Sequence, residues 1–196
     1  MGYQLSSEVQ LEVIPATLGQ QSILANLIEL YAHDFSEFQH IELQRDGRFG
    51  YEPLPLYWSE PGRHPFLVRI DGNLAGFVLV RAGSEISGDQ TVWDMAEFFI
   101  VRSYRRRGAG TTVVHQVLAR FPGRWEVRVM ESNAPALRFW QQAISGFVGQ
   151  TVAPASVEHH GKVWSLFSFE SPHLLPNRHR GSGPGITGPD FQRSGP

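Results

Sequence analysis

Apolar residues alternate from Val9 through Leu11 and Val13 to Pro15, which is the period of a short strand. From Gly19 to Ala32 the period lengthens, and Ile23, Leu24, Leu27, Ile28 and Tyr31 fall on one side of a helix. Asp34 to Glu42 predicts a second short helix. Arg45 to Pro65 mixes glycine, proline and aromatic residues and predicts a long ordered loop, a length often tied to function. Two strands, Phe66 to Ile70 and Leu74 to Arg81, flank Asp71-Gly72-Asn73, a hairpin signal because Gly and Asn tolerate positive φ. Gly83 to Gln90 is a second turn. Thr91 to Val101 is apolar on both faces, as a central strand should be.

The second half alternates the two periods. A helix is predicted from Gly108 to about Phe121, with Val113, Val114, Val117 and Leu118 inward and Pro122-Gly123 at its end. Trp125 to Glu131 is a strand. Ala134 to about Ile144 is a helix closed by Gly146. Val163 to Phe169 is the last strand, expected to pair with Phe147 to Val152. The order β-α-α-β-β-β-α-β-α-β-β predicts an α/β (α+β) fold, with a mixed sheet of about seven strands and helices on both faces. Residues 1–170 form one domain on this reading. Ser171 to Pro196 is polar, aperiodic and rich in Gly and Pro, and predicts a disordered tail without chemistry.

Composition narrows the function classes. The chain has no cysteine, so disulfides, thiolate metal sites and a Cys nucleophile are excluded. A formal charge of −2 argues against a nucleic-acid partner. Met1 to Gln10 lacks an apolar signal core, and no apolar run has the length of a membrane span, so a cytoplasmic protein without a membrane partner is expected. Of the eight histidines, His159-His160 sits in a predicted turn, and His33 and His40 are isolated. None has metal-ligand spacing, so no metal is expected.

The informative stretch runs from Ile100 to Thr111. A long strand leads into Arg105-Arg106-Arg107-Gly108-Ala109-Gly110 and then into a helix. Backbone N–H groups at a helix start are unpaired, and the helix dipole adds positive charge there. Gly108 and Gly110 let the backbone approach an anion, and Arg105 to Arg107 add formal charge. The pattern predicts a phosphate site. It is not a P-loop, because the Gly-Lys-Ser/Thr ending is missing, and it lacks the three-glycine dinucleotide spacing.

On these residues the chain resembles the GNAT acetyltransferase superfamily, whose cofactor motif reads Arg or Gln, two residues, Gly, one residue, Gly or Ala. Arg105, Gly108 and Gly110 match it. The resemblance spans about residues 10 to 170, is strongest from Asp94 to Trp140, and is closest to bacterial predicted acetyltransferases. It implies acetyl-CoA as co-substrate, with the diphosphate held by the loop Arg105, Arg106, Arg107, Gly108, Ala109, Gly110 and Thr111. It also implies pairing of Phe98, Phe99 and Ile100 with the pantetheine and acetyl groups. Asn133, Phe139 and Trp140 match a later family element that touches the pantetheine arm and lines the groove. Asn133 also suits a helix N-cap, with Pro135 in the first turn.

The implied activity is N-acetylation of a primary amine by direct attack on the thioester. The candidate acceptors are a polyamine, an aminoglycoside-like antibiotic or an amino-acid derivative. Acetylation of a protein N-terminus or lysine, and a non-catalytic acyl-CoA sensor, are the alternatives. Asp94 and Glu97 are the candidate bases, and strand alternation puts them on opposite faces, with Asp94 beside Phe98 and Ile100. Where the family often has a Tyr as general acid, this chain has Trp140, so either Tyr57, Tyr104 or water replaces it, or the thiolate leaves without an acid. His33, Asp34, Glu37, Tyr57 and Trp58 are the candidate acceptor residues, acidic and aromatic groups that suit a cationic amine. Such domains often pair through late strands, so a homodimer is one expectation.

Overall fold

The computed structural model describes residues 9–172. Seven strands form one sheet in the order β1-β2-β3-β4-β5-β7-β6. The strands are β1 (Leu11–Pro15), β2 (Arg63–Ile70), β3 (Asn73–Ala82), β4 (Trp93–Ile100), β5 (Gly123–Met130), β6 (Ala155–His159) and β7 (Lys162–Ser171). The helices are α1 (Gln21–Phe35), α2 (Leu56–Ser59), α3 (Ala109–Arg120) and α4 (Ala134–Val148). Only β4 and β5 pair in parallel, so the sheet is mixed as the element order predicts. No helix of the described residues is long and apolar enough to cross a membrane.

Each helix pair covers its own face. On one face, Val113, Val117 and Leu118 of α3 and Trp140 and Ile144 of α4 pack on Val78, Val127 and Phe167. On the other, Leu24, Leu27 and Ile28 of α1 and Tyr57 of α2 pack on Leu67, Phe77, Leu79 and Phe99. Strand β4 is sandwiched between the two layers, which is why its apolar run shows no clean alternation.

Four local expectations need correction. Asp34 to Glu42 is not a second helix, because α1 runs on to Phe35 and then gives way to turns; the second helix is the single turn of α2, inside the expected loop. Helix α4 passes through Gly146 and ends on Gly149, whose φ of 75° lets its N–H reach Ser145 O. Residues 147 and 148 therefore belong to α4, and β7 pairs with Ala155–His159 instead. Ser171 is the last residue of β7 and is buried, so the domain runs past the expected boundary; the rest of the proposed tail, from residue 173, lies outside the described residues.

Two features of β4 set up the site. It pairs with β5 at only two positions, Trp93 with Trp125 and Asp94 with Glu126, although both strands continue. From Met95 onward the two strands separate. The second feature is a bulge: Met95 opposes Val80 and Glu97 opposes Leu79, leaving Ala96 as an extra residue. A bulge bends its strand and raises the local twist. Placed directly after the last β4–β5 pair, it turns β4 away from β5. On its other side β4 stays paired to β3 up to Ile100, and Gly76 allows that contact, since a Cβ there would collide with Phe99 O.

Candidate active site

The bulge also changes which side chains share a face. Asp94 opposes Arg81 and Glu97 opposes Leu79, and these two β3 residues are two apart, so both acids lie on the α1/α2 face. Strict alternation had put them on opposite faces. Phe98 and Ile100 point the other way, into the α3/α4 layer, while Phe99 faces α1.

At the exit of β4, Arg102–Tyr104 form a 3-10 turn, followed by two residues of positive φ, Arg106 at 64° and Gly108 at 78°. Gly108 is the N-cap of α3 and supplies no side-chain cap. Thr112 makes the first helical bond, to Gly108 O at 3.1 Å, so the amides of Ala109, Gly110 and Thr111 precede it and point outward. Gly110 is needed for space, because a Cβ there would lie 3.1 Å from the Phe139 ring. Gly108 is needed for its φ, since a Cβ there would touch nothing. Arg106 and Arg107 are exposed. The loop thus offers free amides and, among the described residues, two cations without an ion-pair partner at a helix start, an arrangement with the chemistry to hold an anion.

Arg105 differs from its neighbours. Its Nε donates to Ile100 O at 2.6 Å, its Nη2 donates to Asp34 Oδ2 at 2.6 Å, and its guanidinium lies 5.4 Å over the Phe99 ring. Arg102 Nη2 reaches Asp34 Oδ1 at 2.7 Å. Partial burial pushes the Asp34 carboxyl up, but hydrogen bonds from Arg102 and Arg105 outweigh it and hold the group below the ordinary aspartate range. Asp34 therefore fastens the end of α1 to the anion loop, and the Arg105 side chain faces inward. His33 and Glu37 are exposed beside this anchor.

On the α3/α4 side, Phe98 stacks on Phe139 at 5.6 Å and meets the Trp140 edge at 5.3 Å. Trp140 is a core residue, and Phe139 is partly buried. Asn133 Oδ1 accepts the Ala136 amide at 3.0 Å, an N-cap of α4 that leaves its side-chain NH2 uncommitted to the helix.

The two acids keep different company. Asp94 is 2% exposed, and its Oδ2 accepts from Arg81 Nε at 2.9 Å, Arg81 Nη2 at 2.7 Å and Arg128 Nη1 at 2.7 Å. It is the buried anion of an ion cluster that reaches out to the exposed Glu85. Glu97 has no ion-pair partner among the described residues. It accepts from the Tyr51 hydroxyl at 3.2 Å and faces the Tyr31 hydroxyl. Burial pushes its carboxyl above the ordinary glutamate range, against the Arg128 charge and the tyrosine hydrogen bonds. Tyr57 lies against the same group, and burial and then the Glu97 charge raise its hydroxyl to about 12. Tyr51 reaches Glu97 because Glu29 of α1 accepts the amides of Phe49 at 2.8 Å and Gly50 at 3.0 Å, fixing the loop. Trp58 Nε1 instead donates to Ala16 O at 2.9 Å and pins α2 to the end of β1.

The family model described as acetyltransferase (GNAT) family matches residues 24–147. The chain belongs to the GNAT acetyltransferase family. Solved structures share the fold. An acetyltransferase from Thermus thermophilus superposes with a TM-score of 0.62 at 17% identity, covering 82% of this chain and 97% of the other. The aminoglycoside acetyltransferase AAC(6')-Ib in complex with coenzyme A gives 0.62 at 14% identity, over 82% and 95%. Spermidine N-acetyltransferase from Vibrio cholerae, with CoA and spermine, gives 0.55 at 17%, over 83% and 96%. By sequence, no curated protein matches significantly.

Of the residues expected from sequence, this acetyltransferase brings Glu97 and Tyr57 together on one face and Phe98, Phe139 and Trp140 on the other. It keeps His33, Asp34 and Glu37 at the foot of the anion loop and Trp58 under α2. Tyr31, Tyr51, Glu29 and Arg128 were missed. Tyr31 stands on the apolar stripe of α1, where it reads as core. Arg128 carried a signal, since it shares one face of its strand with Arg124 and Glu126, opposite Trp125, Val127 and Val129.

Proposed function

We propose that this acetyltransferase moves the acetyl group of acetyl-CoA to a primary amine of a small molecule, by direct attack of the amine on the thioester. The observation that carries the reading is the separation of β4 from β5 beyond Asp94, beside the free amides of α3. The unpaired edge of β4 suits the amide-bearing pantetheine arm as an added strand would. The amides from Gly108 to Thr111, with Arg106 and Arg107, suit the diphosphate. The solved relatives with coenzyme A bound support the choice of cofactor.

Glu97 is the base on this reading. It is not consumed by an ion pair, and a carboxylate raised by burial is a better proton acceptor near neutrality. Asp94 is saturated by two arginines, and its charge adds to the upward push on Glu97. When the C–S bond breaks, the electron pair goes to sulfur. Tyr57, raised to about 12, is a weaker acid than a thiol of about 8.5, so protonation from it runs uphill. The proton that Glu97 took from the amine is the better source. Trp140 has no acidic proton, and Tyr104 packs against the α3/α4 layer, on the far side of the sheet.

Thermal unfolding with and without acetyl-CoA, paired with a thiol-release assay over amine classes, tests the reading. A ligand-dependent rise in Tm is expected, about 2.7 kcal/mol of stabilisation at 100 times Kd. Gly108→Val should remove that rise, because it forces a branched residue into positive φ at the loop. Thiol release with no amine in the panel, or a full Tm rise in the variant, would count against it.

A further inference from the structure

Two donors on the Glu97 face have no acceptor among the described residues. Tyr57 is 3% exposed; the Tyr51 hydroxyl lies beside its own and acts on it as a donor, but the Tyr57 proton has no acceptor among the described residues. Arg63 donates its Nε to Glu60 at 2.6 Å, yet its Nη1 is buried and unpartnered. The two belong to one stacked pair, with the Arg63 guanidinium 5.3 Å from the centre of the Tyr57 ring. Arg63 opposes Arg81 on β3, which opposes Asp94 on β4, so this pair lies on the face that carries Glu97.

The acceptors around them are already engaged. Asp94 is held by Arg81 and Arg128, Glu85 by Arg81, and Glu97 by Tyr51. Buried donors left unmade are costly, and adjacent ones mark a place for an oxygen from outside. A cavity of about 190 Å³ borders Arg63, Arg81, Ser84, Glu85 and Gln90 at the Arg63 end of the pair, with room for a group of a few heavy atoms; Tyr57 and Glu97 lie outside its lining. A linear polyamine fits this place badly. All its polar atoms are donors, and its second ammonium would meet the Arg63 charge.

We propose that Arg63 and Tyr57 form a second anchor for the acceptor, binding the carboxylate of an amine whose nitrogen lies at Glu97. The acceptor is then an amino acid or an amino-acid derivative with a free carboxylate. This rests on the reading of Glu97 as the amine site. Arg63 supplies the charge and Tyr57 the second hydrogen bond, a pairing suited to a carboxylate.

The test compares kcat/KM across amines matched in length: amino acids, their amides, and diamines. It is run on the wild type and on Arg63→Lys, Arg63→Gln and Tyr57→Phe. The wild type should prefer the free carboxylate over the matched diamine by at least about tenfold, the discrimination that an uncompensated buried charge readily supplies. Arg63→Gln should raise KM for the amino acids and erase most of the preference, and Arg63→Lys should restore part of it. Tyr57→Phe should raise the same KM with little change in Tm, since the lost proton has no acceptor among the described residues. Equal or better use of the diamine, or an unchanged preference in Arg63→Gln, would overturn the proposal, and the two donors would then serve only an ordered water. Preference for the amide over the free acid would also overturn it. Failure of the underlying reading is distinct: it shows as no turnover of any amine by the wild type.

Discussion

Asp94 and Glu97 stand three residues apart on one strand, and their partners divide their roles. Removing one side of a buried ion pair costs about 3–5 kcal/mol, so Asp94→Asn should lower stability by that order. Glu97→Gln should instead lower kcat, by about 10²–10⁴-fold, the usual worth of general base catalysis. Because burial raises Glu97, the acidic limb of the kcat profile should lie above the ordinary carboxylate range and vanish in Glu97→Gln. The stability sign follows from the same shift. A carboxyl whose folded pKa is raised binds its proton more tightly folded than unfolded, so stability falls as pH rises from the unfolded value through the folded one. Glu97→Gln should therefore melt above the wild type at neutral pH, with the gap closing in acid. A lower Tm for this variant at neutral pH would contradict the assignment.

Asp34 belongs at the same scale. Asp34→Asn removes the charge that turns Arg105 inward and fixes Arg102, and it sits one turn after Tyr31, which faces Glu97. The expected result is a rise in KM for acetyl-CoA, because the anion loop loses its anchor. An unchanged KM for acetyl-CoA would show the pair to be decoration. Gly108 at the strand-to-helix junction was legible in sequence because its requirement is local, one positive φ, whereas the space Gly110 leaves is filled by Phe139 of α4. The inward turn of Arg105 was not legible, because its partner lies 71 residues away.

At the scale of elements, the bulge at Ala96 governs the site. It puts both acids on one face and bends β4 away from β5. Deleting Ala96 would restore regular pairing with β3 while keeping the faces of later residues. The expected variant folds and melts cooperatively, yet shows no acetyl-CoA shift in Tm; a retained shift would dissociate the bulge from the opening. Nothing in the sequence announced it. One extra residue in a run apolar on both faces leaves no break in pattern, so alternation placed Asp94 and Glu97 wrongly. The β2–β3 hairpin, α1 and α3 were legible because period and turn chemistry agree there. The stretch after α1 was misread because its apolar residues fold back on the helix end, as Phe38 does edge-on to Phe35, instead of continuing a helical stripe.

For the whole molecule, the sheet divides labour between its faces. The α3/α4 layer carries the anion loop and the aromatic cluster of Phe98, Phe139 and Trp140, while the α1/α2 layer carries Glu97 and its tyrosines. The opening between β4 and β5 joins them. The last strand ties into this plan, since Ser171 Oγ donates to Leu118 O of α3 at 2.7 Å in a buried position. Ser171→Ala should cost about 0.5–1.5 kcal/mol, the net worth of one hydrogen bond, because Leu118 O keeps the Phe121 amide at 3.3 Å; denaturant unfolding measures it. A cost near zero would mean that the Phe121 amide alone satisfies Leu118 O.

The most direct measurement is a crystal structure with coenzyme A bound. The diphosphate should lie on the amides from Gly108 to Thr111, and the pantetheine arm along the free edge of β4 at Phe98 to Ile100, with sulfur facing Glu97. Coenzyme A bound elsewhere, or β4 and β5 zipped together with no ligand between them, would contradict the account.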